Sequence, residues 1–260
     1  MKATLITGAS SGIGEAFARR LAEEKHNLVL VARSEDKLRA LCDDLMAKHK
    51  ITAHFVAVDL TGVDADKQLF EETESHGIEV DWLINNAGFG SMGDFAKLDL
   101  DKELQMIDLN ISSLAALTHR YLQKMRERKR GTIINVSSAA GFQPIPFMAT
   151  YGATKAFVTS FSEAIAEENR PFGIQVLALC PGSTETNFHE AAKMDRALSV
   201  KGQETPEQVV ETALGKVGTG RSKIVSGWTN WIVASAVNFV PNSLITRVMA
   251  KGLRSRFQGK

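Results

Sequence analysis

Short apolar runs alternate with longer amphipathic stretches along most of this chain. The apolar runs are rich in Val, Ile, Leu and Ala and lack regular polar alternation, which is typical of strands buried on both faces of a parallel sheet. The sequence predicts strands at residues 3–7, 28–32, 53–58, 80–85, 131–137, 174–180 and 222–226. Helices are predicted between them, at residues 13–25, 34–49, 64–75, 101–129, 151–170 and 205–217. This order predicts an α/β fold with helices on both faces of a doubly wound parallel sheet of about seven strands, and with ligands at the carboxyl ends of the strands.

The pattern changes towards the end of the chain. Residues 183–204 show no clear periodicity, and we predict a flexible loop there. Residues 228–257 contain two further helix-like pieces separated by Pro241. The sequence therefore predicts one α/β domain over residues 1–227 and a helical extension over residues 228–260.

Composition narrows the class of protein. Of 260 residues, 44% are hydrophobic and 23% are charged, which is typical of a globular protein and argues against disorder. Cys42 and Cys180 are too few for a disulfide framework or a structural zinc site, and the six histidines lack close metal-ligand spacing, so no metal is predicted. No signal-peptide pattern opens the chain, and no run of about 18 apolar residues predicts a membrane-spanning helix. These features predict a cytoplasmic, reducing location.

Charge is distributed unevenly. No Asp or Glu follows Glu211, whereas eight Lys and Arg residues do, on a chain whose net charge is +1. Residues 242–257 have the pattern of a basic amphipathic helix. Three interpretations stay open: packing on its own body or a partner subunit, peripheral attachment to an anionic membrane, or contact with an acidic carrier or phosphorylated substrate. Nucleic acid is not an expected partner, because the basic run at residues 124–130 closes a helix and has no aromatic platform beside it.

A glycine-rich turn links the first predicted strand to the first helix. Residues 7–14 have the pattern T-G-x-x-x-G-x-G, in which glycines allow a tight turn and the helix N-terminus attracts a pyrophosphate. The second strand ends in Arg33-Ser34, with no acidic residue before Glu35. Arg33, helped by Ser34, suits a 2′-phosphate, so NADP(H) is predicted over NAD(H). A solvated arginine at a helix start is the alternative.

Tyr151 and Lys155 lie four residues apart in a predicted helix and therefore share one face. A phenol with a pKa near 10 needs help to act as an acid or base at neutral pH, and a neighbouring ammonium can supply it. The pair alone is also compatible with an ordinary solvated helix face.

Six motifs in this order resemble the short-chain dehydrogenase/reductase family, which has a Rossmann-like fold. They extend from Thr7 to Thr186, over most of the chain. They are the glycine turn at 7–14, Asp59-Leu60 after the third strand, Asn85-Asn86-Ala87-Gly88 after the fourth, Asn110 in the next helix, Ser138 thirteen residues before Tyr151, and Pro181-Gly182 with Thr186 after the sixth strand.

The resemblance implies a role for each motif. Tyr151 exchanges a proton with the substrate oxygen, and Ser138 donates a hydrogen bond to that oxygen. Lys155 lowers the pKa of Tyr151 and binds the cofactor ribose. Asn110 positions a water molecule beside Lys155. Besides Tyr151, Lys155, Arg33 and Ser34, the implied cofactor-binding residues are Gly8, Ser10, Ser11, Gly12, Ile13, Gly14, Asp59, Leu60, Asn86, Ala87, Gly88, Pro181, Gly182 and Thr186. Spacing favours Ser138 over Ser137 and Thr186 over Thr184. Asn110 also fits a helix-interior residue bonded to backbone.

The resemblance also places a substrate lid within residues 183–204. Residues predicted to line the substrate pocket are Phe89, Phe142, Phe147 and Phe188. Their apolar character predicts an apolar carbonyl substrate. Helices 101–129 and 151–170 form subunit interfaces in the family, so a homodimer or homotetramer is implied.

These features predict an NADP(H)-dependent oxidoreductase that interconverts a ketone or 3-oxoacyl group and a secondary alcohol by hydride transfer. Two alternatives stay open: a lyase or epimerase of the same fold, and a non-catalytic module that senses NADP(H). Intact Ser138, Tyr151, Lys155 and Asn110 argue against the sensor, because a sensor needs no proton relay.

Overall fold

Seven parallel strands form a single sheet in the computed structural model, which describes residues 1–186 and 203–258. The strands are β1 (Lys2–Thr7), β2 (Leu28–Ala32), β3 (Ala53–Ala57), β4 (Glu79–Asn85), β5 (Gly131–Val136), β6 (Ile174–Cys180) and β7 (Lys223–Val225). Their order across the sheet is β3-β2-β1-β4-β5-β6-β7. Each lies within one residue of its predicted bounds, and the Rossmann-like α/β fold is confirmed.

Nine α-helices occur in the described residues. They are α1 (Gly12–Glu23), α2 (Glu35–His49), α3 (Ala65–Ser75), α4 (Leu100–Ile107), α5 (Leu114–Arg128), α6 (Ala149–Asn169), α7 (Pro206–Leu214), α8 (Trp228–Ala236) and α9 (Asn242–Phe257). The helix predicted at 101–129 is interrupted by a π-helical segment, Asp108–Ser113. In the ranges 1–186 and 203–258, none of the helices has the length and apolar content needed to cross a bilayer.

Successive residues of the buried strands supply two separate apolar layers. Ile6 of β1 packs with α1, α2 and α7 on one face, whereas its neighbour Leu5 packs with α3, α5 and α6 on the other. Both side chains are fully buried, and burying a leucine or isoleucine stabilises a fold by about 1.5–3 kcal/mol. The double burial explains why the strands read as continuous apolar runs.

The strand order reverses between β1 and β4, at the middle of the sheet. Chain segments leaving the carboxyl ends of these two strands run to opposite faces, so a crevice opens between them. The C-terminal helices lie at the same end of the molecule, since α8 packs on β7 and on the 3₁₀ turn Ala139–Phe142. The Phe257 ring of α9 stacks on Phe147, with ring centroids 5.0 Å apart. One face of α9 thus packs on the body of its own chain.

Candidate active site

A cleft of about 840 Å³ occupies the carboxyl ends of the central strands. Ser138, Tyr151 and Lys155 line it. So do fifteen of the implied cofactor residues, namely Gly8, Ser10, Ser11, Gly12, Ile13, Arg33, Ser34, Asp59, Leu60, Asn86, Ala87, Gly88, Pro181, Gly182 and Thr186. The structure therefore brings together, at one site, motifs that are spread over most of the chain.

The glycine turn is held against the end of β4. Gly8 has a positive φ of 67°, and the Asn86 side-chain amide donates to its carbonyl oxygen at 3.2 Å. The Thr7 hydroxyl accepts the backbone N–H groups of Asn86 and Ala87 at 2.9 and 3.0 Å. Gly14 lies beneath the cleft, where any β-carbon would overlap the Gly8 carbonyl. These contacts let α1 start directly below the turn.

The N-terminus of α1 fits the pyrophosphate of a dinucleotide. Ser11 is the N-cap residue, and its side chain makes no capping hydrogen bond. The first backbone N–H groups of a helix need an acceptor, and the helix dipole favours an anion there. The glycine turn, which carries no bulky side chain, leaves room for that anion.

Arg33 and Asp59 face each other where β2 and β3 end. The Arg33 guanidinium lies 3.9 Å from the Asp59 carboxylate, and both side chains are exposed. The pKa of Asp59 is lowered mainly by a hydrogen bond from the Thr61 backbone N–H at 3.0 Å, and the positive charge of Arg33 lowers it further. This end of the cleft therefore carries one fixed anion beside one cation.

Tyr151 is buried beside Ser138 at the bottom of the cleft. Burial raises the pKa of Tyr151 to about 12, although a hydrogen bond with Ser138 acts in the opposite direction. The resemblance implies that Lys155 lowers this pKa, but in this structure burial prevails. The phenol is therefore protonated at neutral pH and can donate its proton.

Lys155 contributes a buried ammonium one helical turn further along α6. Its Nζ donates to the Val136 carbonyl oxygen at 2.8 Å and lies 5.8 Å from the centre of the Tyr151 ring. Burial lowers its pKa from 10.5 to about 8, because the charged form loses hydration. The ammonium form still prevails at neutral pH, so the site holds a cation close to the phenol.

Ser137 and Ser138 point in different directions, as alternation at the end of a strand requires. The buried Ser137 hydroxyl donates to the Lys155 carbonyl oxygen at 2.7 Å and lies 2.7 Å from the Thr159 hydroxyl. Ser138 instead lines the cleft next to Tyr151. Ser137 thus positions α6, whereas Ser138 faces the cleft.

Asn110 lies within the π-helical segment, a local distortion that is common at functional sites. Its side-chain amide donates to the Phe89 carbonyl oxygen at 3.0 Å and to the Thr154 hydroxyl at 3.1 Å, while its oxygen accepts the Phe89 N–H at 3.2 Å. A β-carbon on Gly88 would lie 2.8 Å from the Asn110 oxygen and 3.5 Å from the Lys155 Nζ. Asn110 therefore fixes the loop after β4 next to Lys155.

Comparisons with known proteins agree with this geometry. Residues 2–197 match a family model described as short chain dehydrogenase. The chain belongs to this family. A very-long-chain 3-oxoacyl-CoA reductase from Mus musculus is 31% identical over 98% of this chain and 82% of its own. A solved 7beta-hydroxysteroid dehydrogenase is 28% identical, covers 96% of each chain and has a TM-score of 0.87. A short-chain dehydrogenase from Sphingobium yanoikuyae, in complex with NADPH, is 30% identical over 99% of this chain and 96% of its own, with a TM-score of 0.81.

This short-chain dehydrogenase is accordingly an oxidoreductase with an NAD(P)-binding Rossmann fold. Members of the family interconvert carbonyl and alcohol groups, and the tyrosine, serine and lysine in the cleft suit that chemistry. For the residues in the ranges 1–186 and 203–258, no cluster of three metal-ligating side chains was found.

The substrate half of the dehydrogenase cleft is apolar. Its walls, beyond Tyr151, consist mostly of the side chains of Phe89, Met92, Leu109, Ile145, Met148, Met249 and Leu253. Gln105 is a polar exception. Phe188, which we predicted in this wall, lies outside the described residues, as does most of the predicted lid. The described ends of that loop meet in a bridge between Thr184 and Glu204.

Two predicted wall residues of the dehydrogenase need correction. Phe142 and Phe147 do not line the cleft. Phe142 lies under the Lys223 ammonium, whose Nζ is 5.6 Å from the ring centre. Phe147 has a positive φ of 67°, and its ring stacks on Phe257 instead. The segment borders the pocket through Ile145 and Met148, which the sequence reasoning did not select.

Sequence reasoning also missed the contribution of α9. Met249 and Leu253 are four residues apart and project into the cleft from the same helix face. Their spacing was visible as part of an amphipathic pattern, but nothing local identifies the surface that such a face covers. Asn230 of α8 also lines the cleft, next to Gly182.

Proposed function

We propose that this dehydrogenase uses NADP(H) to interconvert a bulky apolar ketone or 3-oxoacyl group and the corresponding secondary alcohol. One observation carries the proposal: the Tyr151 hydroxyl, which is hydrogen-bonded to Ser138, lies where the polar half of the cleft meets its apolar half. A carbonyl carbon placed there has a proton donor on one side and apolar walls around its substituents.

Four residues of the chain have separate roles in reduction of the carbonyl group. NADPH, when bound in the cleft, would supply a hydride for the carbonyl carbon. Tyr151, protonated at neutral pH, gives its proton to the carbonyl oxygen, and the Ser138 hydroxyl holds that oxygen in place. The Lys155 ammonium stabilises the phenolate that then remains on Tyr151. Asn110 holds the loop after β4 in position next to Lys155. Oxidation of an alcohol reverses each proton transfer.

Preference for NADP(H) rests on the end of β2. Arg33 and Ser34 line the cleft there, where NAD-binding proteins place an acidic side chain. Asp59 faces the same region, but Arg33 balances its charge. A guanidinium can bind a 2′-phosphate through two parallel hydrogen bonds. The relative solved in complex with NADPH supports this assignment.

The class of substrate rests on the apolar wall. Seven apolar side chains surround the region beyond Tyr151, so a substrate with large hydrophobic groups gains most by entering it. The names of two relatives, a very-long-chain 3-oxoacyl-CoA reductase and a 7beta-hydroxysteroid dehydrogenase, describe substrates of that kind. We propose 3-oxoacyl thioesters and ketosteroids as the first compounds to assay.

We also propose that the protein forms a homodimer or homotetramer in the cytoplasm. The outward face of α6 exposes 38% of Phe157, whose ring stacks on Phe161 with centroids 5.5 Å apart. Burial of the exposed Phe157 ring against a second copy would remove this apolar area from water. Sedimentation of Phe157→Ser should then show a smaller species than the unmodified protein.

The test is NADPH oxidation over a panel of ketosteroids, 3-oxoacyl thioesters, aryl ketones and sugars, repeated with NADH. Tyr151→Phe should lower turnover by about 10²–10⁴-fold while NADPH still binds. Tyr121→Phe is a matched control, because Tyr121 is also buried but bonds Thr73, away from the cleft. Full turnover in Tyr151→Phe would contradict the mechanism. NADPH binding without turnover of any carbonyl would favour the non-catalytic sensor.

A further inference from the structure

The last two helices present a large apolar surface to solvent. Three aromatic side chains there, Trp228, Trp231 and Phe239, are 76%, 59% and 89% exposed. We call the C-terminal apolar surface the set formed by these three with Ile232, Val233, Val240, Leu244 and Val248. Scattered exposed apolar residues are ordinary, but eight within one helix–turn–helix mark a surface that contacts something.

Cations border this surface. Arg247, Lys251 and Arg254 are exposed on the outward side of α9, together with Leu244 and Val248. A different face of α9 turns Met249 and Leu253 towards the cleft. Beyond Glu211 the sequence contains no acidic residue, so α9 itself supplies no carboxylate to pair with these charges.

We propose that the C-terminal apolar surface binds to the surface of an anionic lipid bilayer, with α8 and α9 lying in the interface. Tryptophan enters the region between headgroups and acyl chains because its indole ring is largely apolar but carries a polar N–H group. Phenylalanine and leucine bury their apolar side chains at the same depth on interfacial helices. Lysine and arginine beside them attract anionic headgroups. Trp, Phe and Leu next to basic residues, without acids, is the composition that interfacial helices have.

Charge argues against a second copy of this chain as the occupant. Closed dimers use the same patch on both subunits, so a two-fold contact through α9 would bring two sets of Arg247, Lys251 and Arg254 together. Neither copy offers a carboxylate in α8 or α9 to pair with them. Like charges facing each other oppose association, whereas anionic headgroups neutralise all three cations.

The C-terminal apolar surface lies next to the cleft, because α9 contributes to both. The same helix that presents Leu244 and Val248 outwards lines the cleft with Met249 and Leu253. Docking would therefore hold the mouth of the apolar pocket next to the lipid. The inference goes beyond the proposed function and does not depend on it, since lipid binding is measurable without any substrate.

The experiment is co-sedimentation of the full chain with vesicles of phosphatidylcholine alone or of phosphatidylcholine with a minority of phosphatidylglycerol. The unmodified protein should sediment with the anionic vesicles and much less with the neutral ones, and added salt should weaken the binding. Each cation near an anionic surface contributes about fivefold in partitioning, so the triple variant R247Q/K251Q/R254Q should bind about a hundredfold more weakly. W228S/W231S/F239S should lose at least about tenfold per side chain.

A matched control removes the same charge elsewhere. Lys2, Lys50 and Lys129 are exposed at the amino ends of β1, β3 and β5, opposite the cleft. K2Q/K50Q/K129Q should sediment nearly as the unmodified protein does, and far-ultraviolet circular dichroism shows whether each variant is folded. The proposal would be overturned if R247Q/K251Q/R254Q and K2Q/K50Q/K129Q lost vesicle binding equally, or if the unmodified protein did not bind anionic vesicles. So would a dimer that W228S/W231S/F239S abolishes, because the surface would then belong to a second copy.

Discussion

The buried ammonium of Lys155 should make the stability of this enzyme depend on pH in a way that Lys155→Met removes. Lys155 is only 5% exposed, and burial lowers its pKa from 10.5 to about 8. The unfolded chain therefore binds more protons than the folded chain between these two values. Stability contributed by this group consequently rises with pH through that window and is lowest below pH 8.

The magnitude follows from the two pKa values. A difference of about 2.5 pKa units corresponds to a penalty of about 3 kcal/mol at pH 7, and to about 1 kcal/mol at pH 10. Methionine removes this penalty but leaves the Val136 carbonyl oxygen without the Lys155 donor, at a cost of about 1–3 kcal/mol that does not change with pH. The stability of the variant relative to the unmodified protein should therefore fall by about 2 kcal/mol from pH 7 to pH 10.

Urea unfolding of both proteins, followed by fluorescence at several pH values, measures this difference. Other titrating groups cancel because they are common to both proteins. Lys251→Met serves as the control, since it makes the same substitution at a side chain that is exposed on α9. A stability difference for Lys155→Met that stays constant with pH would refute the reasoning, because the ammonium would then be no worse hydrated in the folded state.

Four further outcomes follow from the site. The kcat/KM for reduction should decrease above about pH 8, where Lys155 loses its proton, and a flat pH profile to pH 10 would contradict this. Arg33→Ala should raise the KM for NADPH by roughly tenfold or more and leave that for NADH nearly unchanged in steady-state assays. Gly14→Ala should weaken NADPH binding and lower the free energy of unfolding by about 1–3 kcal/mol, because its methyl meets the Gly8 carbonyl; fluorescence titration and urea unfolding measure the two effects. Leu253→Trp should narrow the cleft, so that kcat/KM falls for bulky ketones but not for small ones.

The sheet was predictable because each strand is buried on both faces. Residues such as Leu5 and Ile6 must both be apolar when one packs towards α5 and the other towards α1, and this leaves a continuous apolar run in the sequence. The polar half of the cleft was predictable for a related reason. In a parallel sheet all strands end at one edge, so the residues that follow β1, β2, β4, β5 and β6 meet there.

Features that depend on long-range packing were not predictable. Phe142 and Phe147 follow β5 closely in the sequence, but neither ring lines the cleft. The Phe142 ring contacts Lys223 and the Phe147 ring stacks on Phe257, and both of these partners lie far along the chain. The pKa of Tyr151 also depends on how deeply α6 is buried, which a four-residue spacing from Lys155 does not reveal. The π-helical segment at Asn110 was not predicted either, because hydrophobic periodicity defines a helix face only over several turns and a single wider turn shifts it by about one residue.

The amphipathic pattern of α9 left three interpretations open because a helix has more than one face. Met249 and Leu253 form one apolar row, which the structure turns into the cleft, while Leu244 and Val248 form another, which stays exposed among cations. The two rows are close enough around the helix to merge into one broad apolar stripe in the sequence, which suggested one face with one partner. Packing on the body uses only the first row. The second row and its cations therefore still need a partner of their own, and an anionic interface satisfies both the apolar side chains and the charges.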